Sequence, residues 1–313
     1  TGDCGTGYCA STDWGNDIRT TEESFAAYIQ LNWSGDISGM PANLRAGVRY
    51  EETDVTSAAK SVLYNQTMWL APGEEVIVLP AEDADGNPLQ GFEDITASYD
   101  LLLPSIDFDI EFIENVVARA SYSETITRPN YNDIKGGLSV SGRVQYRTNT
   151  APGATAGNPG LVPIQSENID LSLEWYYADD SYFSVGYFEK DVKNFIGTGF
   201  EETPIFDIPN VIGGQLWEDA KTAAGLTDTD YGEIGNYIIN NYADNAAVDT
   251  SVTPAQIYGQ DGDPALVWVL SRPVNQKAAE VDGIEINLQH TFGDTGYGFV
   301  ANATFANANI GYD

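Results

Sequence analysis

Asn43-Leu-Arg-Ala-Gly-Val-Arg-Tyr-Glu51 is the stretch on which the fold turns. Leu44, Ala46, Val48 and Tyr50 occupy alternate positions, with Asn43, Arg45, Gly47, Arg49 and Glu51 between them. A period of two puts successive side chains on opposite faces of a strand, so this segment has one apolar and one polar face. Outward from it the same split recurs. Phe25, Ala27, Ile29, Leu31 and Trp33 oppose Tyr28, Gln30 and Asn32; Val116, Ala118, Ala120 and Tyr122 oppose Arg119, Ser121 and Ser123. Ile169, Leu171, Leu173, Trp175 and Tyr177 oppose Asp170, Ser172 and Glu174. Toward the end, Ile284, Ile286, Leu288, His290 and Phe292 oppose Glu285, Asn287, Gln289 and Thr291, and Tyr297, Phe299, Ala301, Ala303 and Phe305 oppose Asn302 and Thr304. Ser181–Asn194 and Ser98–Asp109 complete eight strands. In the latter Pro104 shifts the parity, as a bulge does.

The eight strands pair into four hairpins with short connections at Ser34–Ala42, Ile110–Glu114, Ala178–Asp180 and Gly293–Gly296. Between hairpins the links are long, roughly 44, 42 and 80 residues starting at Asp54, Glu124 and Gly197. Short turns on one side and long loops on the other are the pattern of an outer-membrane β-barrel. Trp33, Trp175, Tyr177, Phe292 and Tyr297 gather beside the short turns, where an interfacial aromatic girdle belongs. A soluble antiparallel sandwich also alternates. Against it stand a polar face dense in Arg, Glu, Asp and Asn, as a water-filled lumen requires, and the asymmetry of the connections. The fold class read here is all-β: a transmembrane antiparallel barrel segment with long extracellular loops.

Composition narrows the function. Of 313 residues 47 are acidic and 14 basic, a net charge of −33, and His290 is the one histidine. So few cations argue against nucleic acid as a partner. A lone histidine excludes multi-His zinc sites. With 42% apolar and 12% aromatic residues the chain is too hydrophobic for a disordered acidic polymer. Cys4 and Cys9, close together in a Gly-rich loop, are read as a disulfide of an oxidising compartment, with two unpaired thiols as the alternative. No HExxH, GxSxG or P-loop is present, so enzyme activity is not expected. Thr1 is no start methionine, and the alternating run Asn307–Asp313 stops midway, so a piece of a longer protein is expected.

At Tyr122-Ser-Glu-Thr-Ile-Thr-Arg-Pro-Asn-Tyr-Asn-Asp-Ile134 the sequence resembles the TonB-dependent outer-membrane receptors, specifically their Caulobacter-type subgroup. Tyr99-Asp-Leu-Leu-Leu-Pro-Ser105, Gly157-Asn-Pro-Gly-Leu-Val-Pro163, Asp170-Leu-Ser-Leu-Glu-Trp-Tyr176, Phe188-Glu-Lys-Asp-Val-Lys-Asn-Phe195 and Val281-Asp-Gly-Ile-Glu285 carry the resemblance further, in order. It implies a 22-stranded barrel plugged by an N-terminal domain. Residues 1–313 would then be a C-terminal-side part of that barrel domain, with the plug, the TonB box and the remaining strands outside this chain. The resemblance also implies energy supplied through the TonB–ExbB–ExbD complex, a seat among outer-membrane lipid and lipopolysaccharide of a Gram-negative cell, and a scarce nutrient as ligand. Alternatives are a ferric-siderophore receptor of the same family, a passive porin, and a small barrel complete at eight strands.

Candidate ligand contacts follow from chemistry. Arg128, Tyr131, Asn132 and Asp133 lie where the chain leaves the membrane. They offer hydrogen bonds and a stacking face to a polyhydroxylated ligand, or brace the loop around Pro129. Trp217, Tyr258 and Trp268, with Trp69, are loop rings suited to sugar faces, or to packing the loops together. They favour an oligosaccharide. Trp217–Ala224 is expected to form a short helix. Asp83-Ala-Asp85-Gly-Asn87 resembles the opening of a calcium loop, but position twelve is Asp94 where an EF-hand needs Glu. No cofactor or metal is expected, and Asp83 and Asp263 are read as parts of acidic turns.

Overall fold

A computed structural model describes residues 2–3, 8–9, 17–73, 75–145, 151–276 and 278–310. The expected Cys4–Cys9 bridge lies outside the described residues. The eight long strands are β1 (Ile18–Ile37), β2 (Met40–Val62), β3 (Gln90–Ile113), β4 (Val116–Thr127), β5 (Ile164–Ala178), β6 (Ser181–Lys193), β7 (Ala279–Thr291) and β8 (Gly298–Ile310). They form one antiparallel sheet in which each strand pairs with its neighbours in sequence.

Register explains the alternation. Trp33, Leu44, Phe108, Ala120, Leu171, Tyr187, Ile284 and Phe305 are successive cross-strand partners, one from each strand, and all are apolar or aromatic. The next row, Ser34, Asn43, Asp109, Arg119, Ser172, Gly186, Glu285 and Thr304, has no apolar side chain. On that polar face Asn43 donates to Asp109 at 2.8 Å, and Arg119 donates to Glu174 at 3.1 Å. The apolar face is left open: Phe25, Ile29, Leu171, Ile284 and Phe305 are exposed. A sheet with one uncovered apolar face and one hydrated face fits lipid outside and water inside.

The short turns use the residues that tolerate them. Ser38 and Gly39 both have positive φ, as a tight primed hairpin turn demands, and Asn115 and Asp180 take the left-handed position in theirs. Beside these turns the girdle assembles. Tyr177 lies 5.1 Å from Trp175 and stacks on His290 at 5.9 Å; Phe292 meets His290 edge-on at 4.8 Å and Phe299 at 6.0 Å.

Two strand expectations are corrected. No bulge occurs at Pro104, which pairs with Val48 in unbroken register. Instead the β3–β4 ladder stops at Ser105–Ser123, one residue below a proline that has no N–H to donate, and its irregularity lies between Glu111 and Ile113. Several strands also outrun their apolar alternation: β2 continues to Val62 and β3 starts at Gln90, so the first long link is 63–89. Above Tyr50 the outer face of β2 turns to Glu52 and Asp54, which marks where lipid contact ends while the ladder continues into water.

Above the wall the described residues of the long links form strands and helices. Phe195–Thr203 pairs with Trp268–Gln276 in the register that β6 and β7 set below them, so one hairpin rises out of the sheet. Gly153–Ala156 and Leu138–Val140 add to it, giving a four-stranded sheet. Helices α1 (Tyr131–Ile134), α2 (Gln215–Ala224) and α3 (Tyr231–Asn241) complete the loop unit. The helix expected over Trp217–Ala224 is α2, ended by Gly225 at φ 65°. No helix among the described residues is long and apolar enough to cross a membrane.

Candidate functional site

The motif that begins at Arg128 meets the inner wall directly above the apolar band. Arg128 follows the last residue of β4; its guanidinium bonds the carboxylate of Glu51 and lies 3.4 Å from that of Glu22. Arg49 reaches Glu51 at 2.8 Å. Glu51 is only 3% exposed, so two guanidiniums offset the cost of burying its charge. Beside it run hydroxyl pairs between β1 and β2, Ser24 with Thr53 at 2.9 Å and Thr20 with Ser57 at 3.0 Å.

The link 128–163 folds onto this face. Ile134 and Leu161 pack on Val55 with Tyr99 and Ile196 at their side. The N–H of Gly136 donates to the Ser57 hydroxyl. At Gly157 an added Cβ would fall 1.8 Å from the Lys135 carbonyl oxygen, so only glycine fits there. Asn158 donates its N–H to the Asp133 carbonyl at 2.7 Å and its side-chain amide to the Pro273 carbonyl at 3.0 Å. The Asn275 amide pairs with both the N–H and the carbonyl of Val162, at 3.0 and 2.9 Å, as a strand neighbour would.

The sequence-derived residues divide. Arg128, Asn130 and Asp133 line one cleft of about 350 Å³ with Ile196, Thr198 and Pro273. Tyr131 is 64% exposed and Asn132 is exposed next to it. Trp217 and Trp268 lie elsewhere: they are 1% and 0% exposed, and with Trp69 they form the centre of the loop core. Their rings pack the loops together and offer no face to a ligand. Tyr258, half-buried, donates to Gln256 at 2.5 Å. Glu51, Glu22 and Arg49, the ionic cluster that holds Arg128, are what sequence reasoning missed. The signal for Glu51 was its place on the polar face of Asn43–Glu51; its partner stands 77 positions away.

The acidic turns are held by backbone N–H groups. The Asp83 carboxylate accepts from the N–H groups of Asp85 and Asn87, both at 2.9 Å, which holds it below the ordinary aspartate value of 3.8. Asp263 accepts from the Gln215 N–H at 2.9 Å, capping α2 from 48 residues away. Among the described residues no group of three His, Cys, Asp or Glu side chains is placed to hold a metal ion. The cleft presents one guanidinium, one side-chain amide and one carboxylate, from Arg128, Asn130 and Asp133, all groups able to hydrogen-bond a ligand.

The family model for the TonB dependent receptor-like β-barrel matches residues 5–313. A search of curated proteins finds no match. Among solved structures the chain is similar to a mutant of the ferric enterobactin receptor PfeA from Pseudomonas aeruginosa, at 16% identity and a TM-score of 0.43, covering 92% of this chain and 36% of that one. It is similar also to the siderophore receptor PirA from Acinetobacter baumannii, at 14% and 0.41, covering 92% and 37%. A double mutant of the Serratia marcescens hemophore receptor HasR, with its hemophore and heme, aligns at 12% and 0.38, covering 95% and 43%. The chain thus spans well under half the length of each. Match of the family model along nearly its whole length, with an eight-stranded antiparallel wall apolar on one face and polar on the other, places this chain in the TonB-dependent receptor β-barrel family of the bacterial outer membrane.

Proposed function

We propose that this chain supplies an arc of the wall, and the surface loops above it, of an outer-membrane transporter that captures a scarce nutrient and imports it with energy delivered by TonB, ExbB and ExbD. The observation that carries the reading is the pair of adjacent rows crossing all eight strands, one apolar and one polar. Among the described residues β1 and β8 each pair on one side only. Unpaired strand edges are not viable in lipid, which supports closure of the wall by further strands over a barrel complete at eight. A passive porin remains the alternative, since it needs the same wall.

For the ligand we propose an oligosaccharide, as in the Caulobacter-type subgroup that the motifs resemble. With Trp217 and Trp268 committed to the loop core, the support rests on the Arg128–Asp133 cleft, the exposed Tyr131 ring and the charge. A net charge of −33 disfavours a polyanionic ferric chelate and is indifferent to a neutral sugar. The neighbours' ligands, siderophores and heme, make the competing reading.

The test is uptake by cells carrying the whole receptor. Labelled maltodextrins and a labelled ferric siderophore are supplied with and without a protonophore. Accumulation of the sugar that collapses with the protonophore supports the proposal. Uptake of the siderophore alone overturns the ligand, and sugar uptake indifferent to the protonophore overturns the energised mechanism.

A further inference from the structure

A second cleft, of about 560 Å³, lies between the tip of the β2–β3 hairpin and the loop sheet. Its boundaries are fixed by hydrogen-bonded ladders. The β2–β3 ladder runs to Val62–Gln90 and is followed by the Leu63 N–H donating to the Leu89 carbonyl at 3.0 Å. On the other side Phe195–Thr203 pairs with Trp268–Gln276 up to Thr203–Trp268. Phe206 is pinned between Tyr64 at 5.2 Å and Trp268 at 5.8 Å. The cleft therefore adjoins a densely packed core and is part of an ordered arrangement.

The lining is mostly apolar, from Leu63, Ile95, Leu138, Phe206 and Leu270. Two charged groups border it. Arg272 is engaged by Glu201 at 3.1 Å. Glu93 is exposed, and while its backbone sits in the ladder opposite Ala59 its carboxylate makes no hydrogen bond or ion pair among the described residues. An uncommitted carboxylate beside aliphatic and aromatic walls is the environment that receives an organic cation. A single carboxylate among hydrocarbon side chains cannot satisfy a divalent metal, and the acidic chain repels anions while concentrating cations at its surface.

We infer that this cleft binds a small organic cation with an apolar body, its charged nitrogen against Glu93 and its body against Leu138, Phe206 and Leu270. The site is separate from the Arg128 cleft and stands whatever nutrient the transporter carries.

The experiment uses the whole receptor in a neutral detergent and a fluorescent styrylpyridinium cation, with anilinonaphthalene sulfonate as the anionic counterpart. Saturable binding of the cation is expected, weakened about tenfold or more by Glu93→Gln and abolished by Leu138→Trp, which fills the cleft. Ile95→Phe fills it from the opposite wall and replaces Leu138→Trp if that variant fails the heat-shift assay for a folded barrel on gels. Undiminished binding by Glu93→Gln, or equal binding of the anion at the same site, overturns the inference.

Discussion

Arg128 and Glu51, 77 positions apart, meet where β4 ends, and through them the link 128–163 is fastened to the inner face of β2. Breaking a fully buried pair by removing one partner costs about 3–5 kcal/mol, but the Arg128 side chain is 41% exposed and Arg49 still serves Glu51. Arg128→Ala should therefore cost about 1–2 kcal/mol, felt as local opening of the link. Limited proteolysis within 128–163 should accelerate by about 5- to 30-fold. Arg128→Lys should recover part of the protection, since one ammonium replaces a planar fork. Cleavage at the native rate in Arg128→Ala would remove the brace from the account.

The two faces of β5 make opposite demands. Leu171 stands in the apolar row and is 48% exposed, whereas Ser172 faces the lumen between Arg119 and Gly186. Leu171→Arg puts a cation on the lipid face at a cost of about 2–4 kcal/mol near mid-membrane. Ser172→Arg adds one to a hydrated face that already holds Asp170 and Glu174. Folding yield into lipid vesicles, read by the gel shift of the folded barrel, should fall for the first and hold for the second. Equal yields would sink the face assignment.

Acid should open the turn at Asp83 before it touches the wall. The folded carboxyl titrates below its unfolded value because backbone N–H groups favour the ionised form. Its contribution is thus present above pH 3.8 and is lost as pH falls through the lower folded value. Amide exchange at Asp85 and Asn87 should be slow at pH 5, after correction for intrinsic rates, and rise steeply below pH 3.8. Asp83→Asn should remove that step in pH. A step that survives the substitution would locate the titrating group elsewhere.

Most of the wall was legible because its physics is local. Two-residue periodicity places Leu171 and Ser172 on opposite faces with no knowledge of their neighbours. Motif reading also found Arg128 and the Gly157–Pro163 segment. What it could not supply was their meeting, because Asn275 holds Val162 across more than a hundred residues. Strand length misled where solvent begins: above Tyr50 the apolar signal stops, yet the ladder does not depend on it. Helix α3 was missed for a related reason. Gly235 reads as a helix breaker, but an added Cβ there would come within 3.0 Å of the Trp69 ring, so the glycine admits the tryptophan. The loop tryptophans themselves were ambiguous, since an aromatic ring among Asp and Asn reads alike whether it stacks on a ligand or fills a core.

That ambiguity gives the last prediction. Trp217 is 1% exposed and packs 5.3 Å from Trp69 and 5.4 Å from Tyr231, with Ile234 and Ile238 of α3 in the same cluster. Trp217→Ala leaves a cavity at the centre of the loop core and should cost about 3–5 kcal/mol. The apolar row of the wall contributes nothing to this cluster, so the damage should stay in the loops. Hydrogen exchange followed by mass spectrometry should show α2 and α3 losing protection while β4–β7 keep theirs. Tyr131→Ala is the counterpart. That ring is 64% exposed, so its loss should change stability by no more than about 0.5 kcal/mol and act on ligand affinity alone. If Trp217→Ala instead kept α3 protected and abolished ligand binding, the tryptophan would be a contact residue after all, and the buried loop core would be the wrong description of this region.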